Sequence, residues 1–473
     1  MKIPHSLAYS AGIASATKAG LRGAQMNFMQ YSFNGKKITV MGLGLHGGGV
    51  GVVKFLLDEG AREIVVTDLK KRSALLPSIR QIPKSPRLHY VFGRHRMSDF
   101  KHRDAVIKNP DVPLSSPYLA QAIKNGVPVL SDIGIFLERV KAPIIGVTGT
   151  KGKSTTATLI ALLLQKRFPR ILLAGNIRKS VLTTMKLAKR ADAIVLELSS
   201  FQLDDLAYAK KSPHLAVITN IFPDHLNRHG TFSEYARAKS LITAFQNKND
   251  AVIIPKNRGL EPLIKNSKAK KIIVNISERD RGRIASSHPA LRGHMADAAM
   301  LALAAAKFFG IEQKEGMARL KRFRPLAGRM QIVAENSGVT FINDTTATNP
   351  TAALFGLKLA AGRFRRVILI AGGSDKGLPA DQFAKAIREL AHHVILLSGS
   401  ATEKLKRSIG LWGRNRVTSA ASMEEAVRQA QRRASRGDAV LLSPGAASFG
   451  LFLHEFHRGD AFVRAVARLI RLK

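Results

Sequence analysis

The run GVTGTKGKSTT, Gly146 to Thr156, brings together residue types that hold a phosphate. Gly149 and Gly152 let backbone N–H groups crowd around an anion. Lys153 supplies a cation for β- and γ-phosphates, and the Ser154 hydroxyl suits Mg2+. One place departs from G-x-x-x-x-G-K-[ST], because Val147 stands where the first glycine would be. A β-type run, APIIGVTG, leads into the loop, and the apolar pattern ATLIALLLQ follows it. The loop is therefore expected at a strand-to-helix junction.

Other reactive side chains should reach the same edge. AIVLELSSFQL reads as a strand with Glu197 at its C-terminal end. Open α/β sheets bind ligands at that end, and a carboxylate there is a natural Mg2+ ligand. VITNIFPDHLNRHG leaves another strand and carries Asp224 and His225 to the same place.

Nearer the start, Gly42, Gly44 and Gly47 form G-x-G-x-x-G directly after the strand run KITVMGLG. Asp68 ends the next strand, where a ribose-binding acid would sit. Two readings fit: a nucleotide site, or a tight strand-to-helix turn with Asp68 as a helix cap.

The elements that must position these residues alternate strand and helix patterns throughout, which implies α/β architecture with mainly parallel sheets. The first series is KITVMGLG and EIVVTD, with a helix near residues 50–60. A second runs through APIIGVTG, ILLAGN, AIVLELSS, LAVITN and AVIIP. A third runs through VTFIND, VILIAGG, HVILLSG and AVLLSPG. Breaks are expected near Lys141–Pro143 and Phe323–Gly328, giving units 36–140, 141–325 and 326–473. Residues 1–35 hold no acid and are expected to be an extension without fixed structure, although their Ala/Ser/basic composition also suits a transit peptide.

The 473 residues are 45% hydrophobic and suffice for roughly three domains. The absence of cysteine excludes disulfides, thiolate zinc sites and cysteine nucleophiles, and fits a cytoplasmic protein. No apolar run is long enough for a membrane helix, so no membrane insertion is expected. The net charge of +42 attracts anions of any kind. It is spread along the chain with only 6% aromatics, so no obligate nucleic-acid partner is expected.

Taken together, TGTKGKST, LELSSFQL and NIFPDHLNRHGTFSEYARAK resemble the Mur ligases over residues 36–470. ELSSFQL points to the branch that adds D-glutamate, and away from folylpolyglutamate synthase, which remains the alternative. The resemblance implies a Rossmann-like N-terminal domain, a central P-loop-type ATP-binding domain and a Rossmann-like C-terminal domain. It implies ATP and Mg2+ as cofactors, UDP-N-acetylmuramoyl-L-alanine and D-glutamate as substrates, and a monomer. ATP would be met by Gly149, Thr150, Lys151, Gly152, Lys153, Ser154, Thr155, Arg329 and Asp344. Metal would be held by Ser154, Glu197, His225 and a carbamoylated Lys239, with Lys153, Glu197, His225 and Lys239 as the catalytic set. Leu45, His46, Asp68, Asn109 and Asn176 would bind the UDP substrate, so the first glycine motif would serve UDP rather than NAD. Thr348, Lys376 and Ser448 would bind D-glutamate.

The implied chemistry is amide formation through an acyl phosphate. Several positions depart from the family pattern. Thr346 replaces a lysine, Met295 and Ala298 replace two asparagines, Gly328 a histidine, Gln331 an acid and Gly450 an aspartate. Glu455 stands where some members carry an aromatic residue. These changes bear on adenine and D-glutamate contacts rather than on the phosphate and metal residues.

Overall fold

The computed structural model describes residues 31–175, 180–288, 290–410 and 415–471. Asn176 and residues 1–30 of the expected extension lie outside them. The strands are β1 (Lys37–Met41), β2 (Glu63–Asp68), β3 (Leu88–Phe92), β4 (Ala105–Lys108) and β5 (Val129–Ser131). Then come β6 (Ile144–Thr148), β7 (Ile171–Gly175), β8 (Ala193–Glu197), β9 (Leu215–Ile218), β10 (Ala251–Pro255) and β11 (Lys270–Val274). The last are β12 (Gln331–Asn336), β13 (Val339–Asn343), β14 (Val367–Gly372), β15 (His393–Leu397), β16 (Val417–Ala420) and β17 (Ala439–Leu442).

They form three sheets, ordered β3-β2-β1-β4-β5, β11-β10-β9-β6-β8-β7 and β12-β13-β17-β14-β15-β16. The first two sheets are wholly parallel. Helices cover both faces of such sheets, so their central strands are continuously apolar. β6 (IIGVT) and β8 (AIVLE) are buried at every position. One face of the central sheet packs on the helices Lys153–Leu164 and His294–Phe308.

The structure differs from the sequence expectation in three places. β3, β4, β5, β11 and β16 are additional strands, each five residues or fewer. Short strands with polar positions carry little period-2 signal. β12, also unexpected, runs antiparallel to β13 at the edge of the otherwise parallel third sheet, with a register shift between Ile332 and Ala334. Residues 31–35, assigned to the extension, instead pack on the first unit. Phe33 is 1% exposed and meets Phe55 edge-on, and the Tyr31 hydroxyl donates to the Asp104 carbonyl at 2.7 Å.

The first and central units meet across a buried ion pair. Lys108 Nζ, at the end of β4, lies 2.7 Å from Asp205 Oδ1 on the helix Ser200–Ala209, and both side chains are buried. Among the described residues no helix is long and apolar enough to cross a membrane.

Candidate active site

Strand neighbours β8, β6 and β9 end side by side. Their C-terminal ends therefore deliver Glu197, the loop Gly149–Gly152 and the segment Thr219–His225 to one edge. Gly149 has φ +145°, and Gly152 caps the following helix at φ +81°. A Cβ at Gly149 would overlap the Thr219 hydroxyl. Asn220 and Thr219 clamp the loop at Lys151. Asn220 Oδ1 accepts from the Lys151 N–H at 2.9 Å, while Asn220 Nδ2 and Thr219 Oγ1 donate to its carbonyl at 3.0 and 2.6 Å. Thr150 Oγ1 donates to the Phe222 carbonyl at 3.1 Å and lies 3.0 Å from the Tyr235 hydroxyl.

Lysines crowd this loop. Lys153 Nζ donates to the carbonyls of Gly149 and Thr150 at 3.0 and 3.1 Å. Lys239, 1% exposed on the helix Phe232–Ser240, donates to the Gly149 carbonyl at 2.9 Å and lies 4.7 Å from the Tyr235 ring centre. Burial, then the charge of Lys153, holds the Lys239 amine well below the usual lysine range. Burial also lowers Lys153, and brings Lys151 down to about 8. The resemblance and the geometry agree that Lys239 is no solvated surface lysine.

Ser154 donates a short hydrogen bond to Glu197 Oε2 and accepts one from Arg329 Nη2 at 2.7 Å. Ser154 and Glu197 are both buried, at 3% and 2% exposure. Arg329 lies on the connection into the third unit, between Gly328 at φ +74° and Met330 at φ +45°. A second contact between these units runs from Asn349 Nδ2 to Asp224 Oδ2 at 3.1 Å. Burial works against ionisation of Asp224, but Lys151, His225 and Lys376 outweigh it and hold the carboxyl below its ordinary value. Burial brings the neighbouring His225 down to about 4 despite Asp224, so its ring is neutral at neutral pH.

In the third unit Asp344 follows β13. It accepts from Ser443 Oγ at 2.8 Å and from the Met330 N–H at 3.3 Å, and burial pushes it up to about 7. Lys376 Nζ donates to Thr348 Oγ1 at 3.2 Å, and both residues line one cavity with Ser374, Lys404 and Ala446. Ser448 is buried two residues beyond Ala446.

In the first unit Asp68 accepts from the N–H groups of Gly44 and Lys70 at 3.0 and 2.8 Å. Asn109 Nδ2 donates to the Gly42 carbonyl at 3.2 Å. Both residues thus hold the glycine turn itself. Leu45 is half-buried on that turn, and His46 is exposed, 5.7 Å ring to ring from His454 of the third unit.

The departures from the family pattern have local accounts. Met295 and Ala298 are buried in the central core, so no polar group is presented there. Thr346 Oγ1 donates to the Gly328 carbonyl at 3.0 Å, and Gln331 Oε1 accepts from the Gly328 N–H at 2.9 Å. Sequence reasoning assigned no role to Asn220, Tyr235 or Asn349. Asn220 and Tyr235 lie within segments already singled out, but only the fold shows which side chain turns toward the loop.

Ser154 and Glu197 bring oxygen donors together in a buried corner, which fits a hard divalent cation. Among the described residues no cluster of three His, Asp or Glu side chains forms a ready metal site.

Known proteins share these features along almost the whole chain. The MurD-like N-terminal domain of Mur ligases matches residues 36–131, the Mur ligase middle domain 147–298, and the Mur ligase glutamate ligase domain 328–445. A UDP-N-acetylmuramoylalanine–D-glutamate ligase of Roseiflexus sp. is 37% identical over 469 residues, covering 91% of this chain and 98% of that protein. Its counterpart in Borreliella afzelii is 34% identical, covering 91% and 97%. Among solved structures, UDP-N-acetylmuramate-alanine ligase from Thermotoga maritima superposes with a TM-score of 0.58 at 18% identity, covering 92% of this chain and 100% of that one. Mycobacterium tuberculosis folylpolyglutamate synthase complexed with ADP gives 0.54 at 18% identity, covering 69% and 90%. Those two likenesses speak for the fold alone. The matches at 30% identity and above span all three sheets and the whole constellation around Ser154, and on them the chain belongs to the Mur ligase family.

Proposed function

We propose that the protein is an ATP-dependent, ADP-forming ligase that joins D-glutamate to UDP-N-acetylmuramoyl-L-alanine in peptidoglycan precursor synthesis. The observation that carries this reading is the meeting of Ser154, Glu197 and Arg329 at the glycine loop, in a chain whose curated relatives are D-glutamate ligases.

The lactyl-alanyl carboxylate attacks the γ-phosphorus of ATP, and ADP leaves. The D-glutamate amine then attacks the acyl phosphate, and phosphate departs from the tetrahedral intermediate. The first step brings anions together, and fixed positive charge offsets that repulsion. Lys153 leaves the loop carbonyls for the β- and γ-phosphates, and Arg329 reaches them from the third unit. Gly149, Thr150, Lys151, Gly152 and Thr155 wrap the phosphates, and Asp344 contacts the nucleotide.

Ser154, Glu197, His225 and carbamoylated Lys239 would hold Mg2+, which when bound neutralises phosphate charge. Lys239 suits carbamoylation because a neutral amine is the form that adds CO2, and the product is a carboxylate rather than a competing cation. His225 suits a ligand role because its ring is neutral. Asp68 and Asn109 set the turn where Leu45 and His46 receive the UDP moiety, with Asn176 near the muramoyl group. Thr348, Lys376 and Ser448 hold D-glutamate. In this reading the units are 36–140, 141–325 and 326–473, and the enzyme acts as a cytoplasmic monomer.

The test is ADP release with each substrate omitted in turn. Release should require ATP, Mg2+, UDP-N-acetylmuramoyl-L-alanine and D-glutamate together. Equal release without D-glutamate sinks the proposal, and turnover with pterin glutamates in place of the UDP-sugar would move the chain to folylpolyglutamate synthesis.

A further inference from the structure

The helix Glu455–Arg471 carries a buried cation that the reaction above does not use. Arg458 is 1% exposed. Its Nη2 donates to the Thr345 carbonyl at 2.9 Å, its Nε to Thr345 Oγ1 at 3.1 Å, and its Nη1 to the Ala446 carbonyl at 3.1 Å. Every one of these acceptors is neutral. Among the described residues no carboxylate forms an ion pair with Arg458. Glu455 is the one acid whose field reaches it, and burial brings the guanidinium down to about 10.

A charge buried against neutral partners alone is costly. Its position shows what it holds. Thr345 begins the turn that leads to Thr348, and Ala446 begins the turn that leads to Ser448. Ala447 in turn exchanges backbone hydrogen bonds with Ser374 at 2.9 and 3.0 Å, which fixes the loop carrying Lys376. Gly373 leaves no side chain between that loop and the guanidinium, since a Cβ there would stand 3.4 Å from Nη1. One planar fork thus joins two of the loops beside the cavity directly, and the Ala447–Ser374 backbone pair ties in the third, which carries Lys376.

We propose that Arg458 is a positioning residue for the amino-acid substrate. It sets the spacing of Thr348, Lys376 and Ser448, and its charge, hydrogen-bonded only to neutral acceptors, is buried among the turns that carry them. This rests on the D-glutamate ligase reading, and deepens it by naming what shapes that subsite. A lysine cannot reproduce three directed donors, so Arg458→Lys keeps the charge and loses the fork.

The experiment measures KM for D-glutamate, ATP and the UDP-sugar separately in wild type, Arg458→Lys, Arg458→Met and Thr345→Val. Arg458→Lys should raise KM for D-glutamate about tenfold while the KM values for ATP and the UDP-sugar move less than about threefold. Thr345→Val, which removes one acceptor of Arg458 together with the hydroxyl's own bond to the Glu455 carbonyl at nearly constant volume, should shift the same constant in the same direction by less. Should both Arg458 variants fail to fold, Thr345→Val decides alone. An unchanged KM for D-glutamate, or an equal rise in all three constants, would overturn the proposal and leave Arg458 as scaffold. If wild type releases ADP without D-glutamate, the ligase reading fails; if wild type needs D-glutamate and the variants match it, only this inference fails.

Discussion

Lys239 shows what one side chain must give up to serve a site. Its amine is buried against the Gly149 carbonyl and a tyrosine ring, with Lys153 nearby. Replacing a buried, poorly compensated polar head by methionine is often neutral or stabilising by about 1 kcal/mol or more. Lys239→Met is therefore expected to unfold at the same or a higher temperature while losing turnover. A clear fall in melting temperature would show that the carbonyl hydrogen bond outweighs the burial cost. Activity of the wild type in CO2-free buffer should fall and return with bicarbonate, and full CO2-independent activity of Lys239→Ala would rule out the carbamate. Lys153→Ala should lower kcat by about 10²-fold or more, on the scale of deleting one preorganised charge-stabilising donor; ADP release at saturating substrates measures it. The placement of Lys153 and Ser154 at the loop is legible in G-K-S because the loop is contiguous. That of Lys239 is not, since nothing in YARAKS distinguishes a lysine turned inward from one in water.

At the level of elements, the central sheet is readable because strands buried on both faces are unbroken apolar runs. β12 is not: QIVAEN sits at an edge, exposes Ile332 and breaks register, so no simple period survives. The strand-to-helix loop is readable as a turn, but its clamp by Thr219 and Asn220 belongs to a neighbouring strand end some 70 residues away in sequence. That clamp makes Gly149 intolerant of any side chain. Gly149→Ala forces a left-handed backbone on alanine and pushes its methyl into the Thr219 hydroxyl. It should cost roughly 1–3 kcal/mol of stability and weaken nucleotide binding, read by denaturant unfolding and ADP titration. Normal affinity for ADP would show that the loop can relax away from β9.

On the scale of the whole molecule, single polar contacts between the units can be tested. Lys108 and Asp205 form a buried pair at the seam between the first and central sheets. Removing one partner of such a pair costs about 3–5 kcal/mol, whereas replacing both by apolar groups is often neutral. Lys108→Met should therefore destabilise strongly and Lys108→Met with Asp205→Leu should recover most of the loss, measured by thermal unfolding. None of this pairing is visible in sequence, where the two residues are 97 positions apart. The central and third units meet at Arg329–Ser154 and Asn349–Asp224. The first of these has a mechanical consequence. Arg329 lies on the covalent connection between the two units, flanked by left-handed residues at 328 and 330. A rotation about Gly328 would carry Arg329 with the third sheet and draw its guanidinium off the serine hydroxyl, whereas one about Met330 would leave that contact in place. On the phosphate-binding role proposed for Arg329, opening about residue 328 would also withdraw that cation from the nucleotide, so ADP departure should be timed by the same peptide unit that bends.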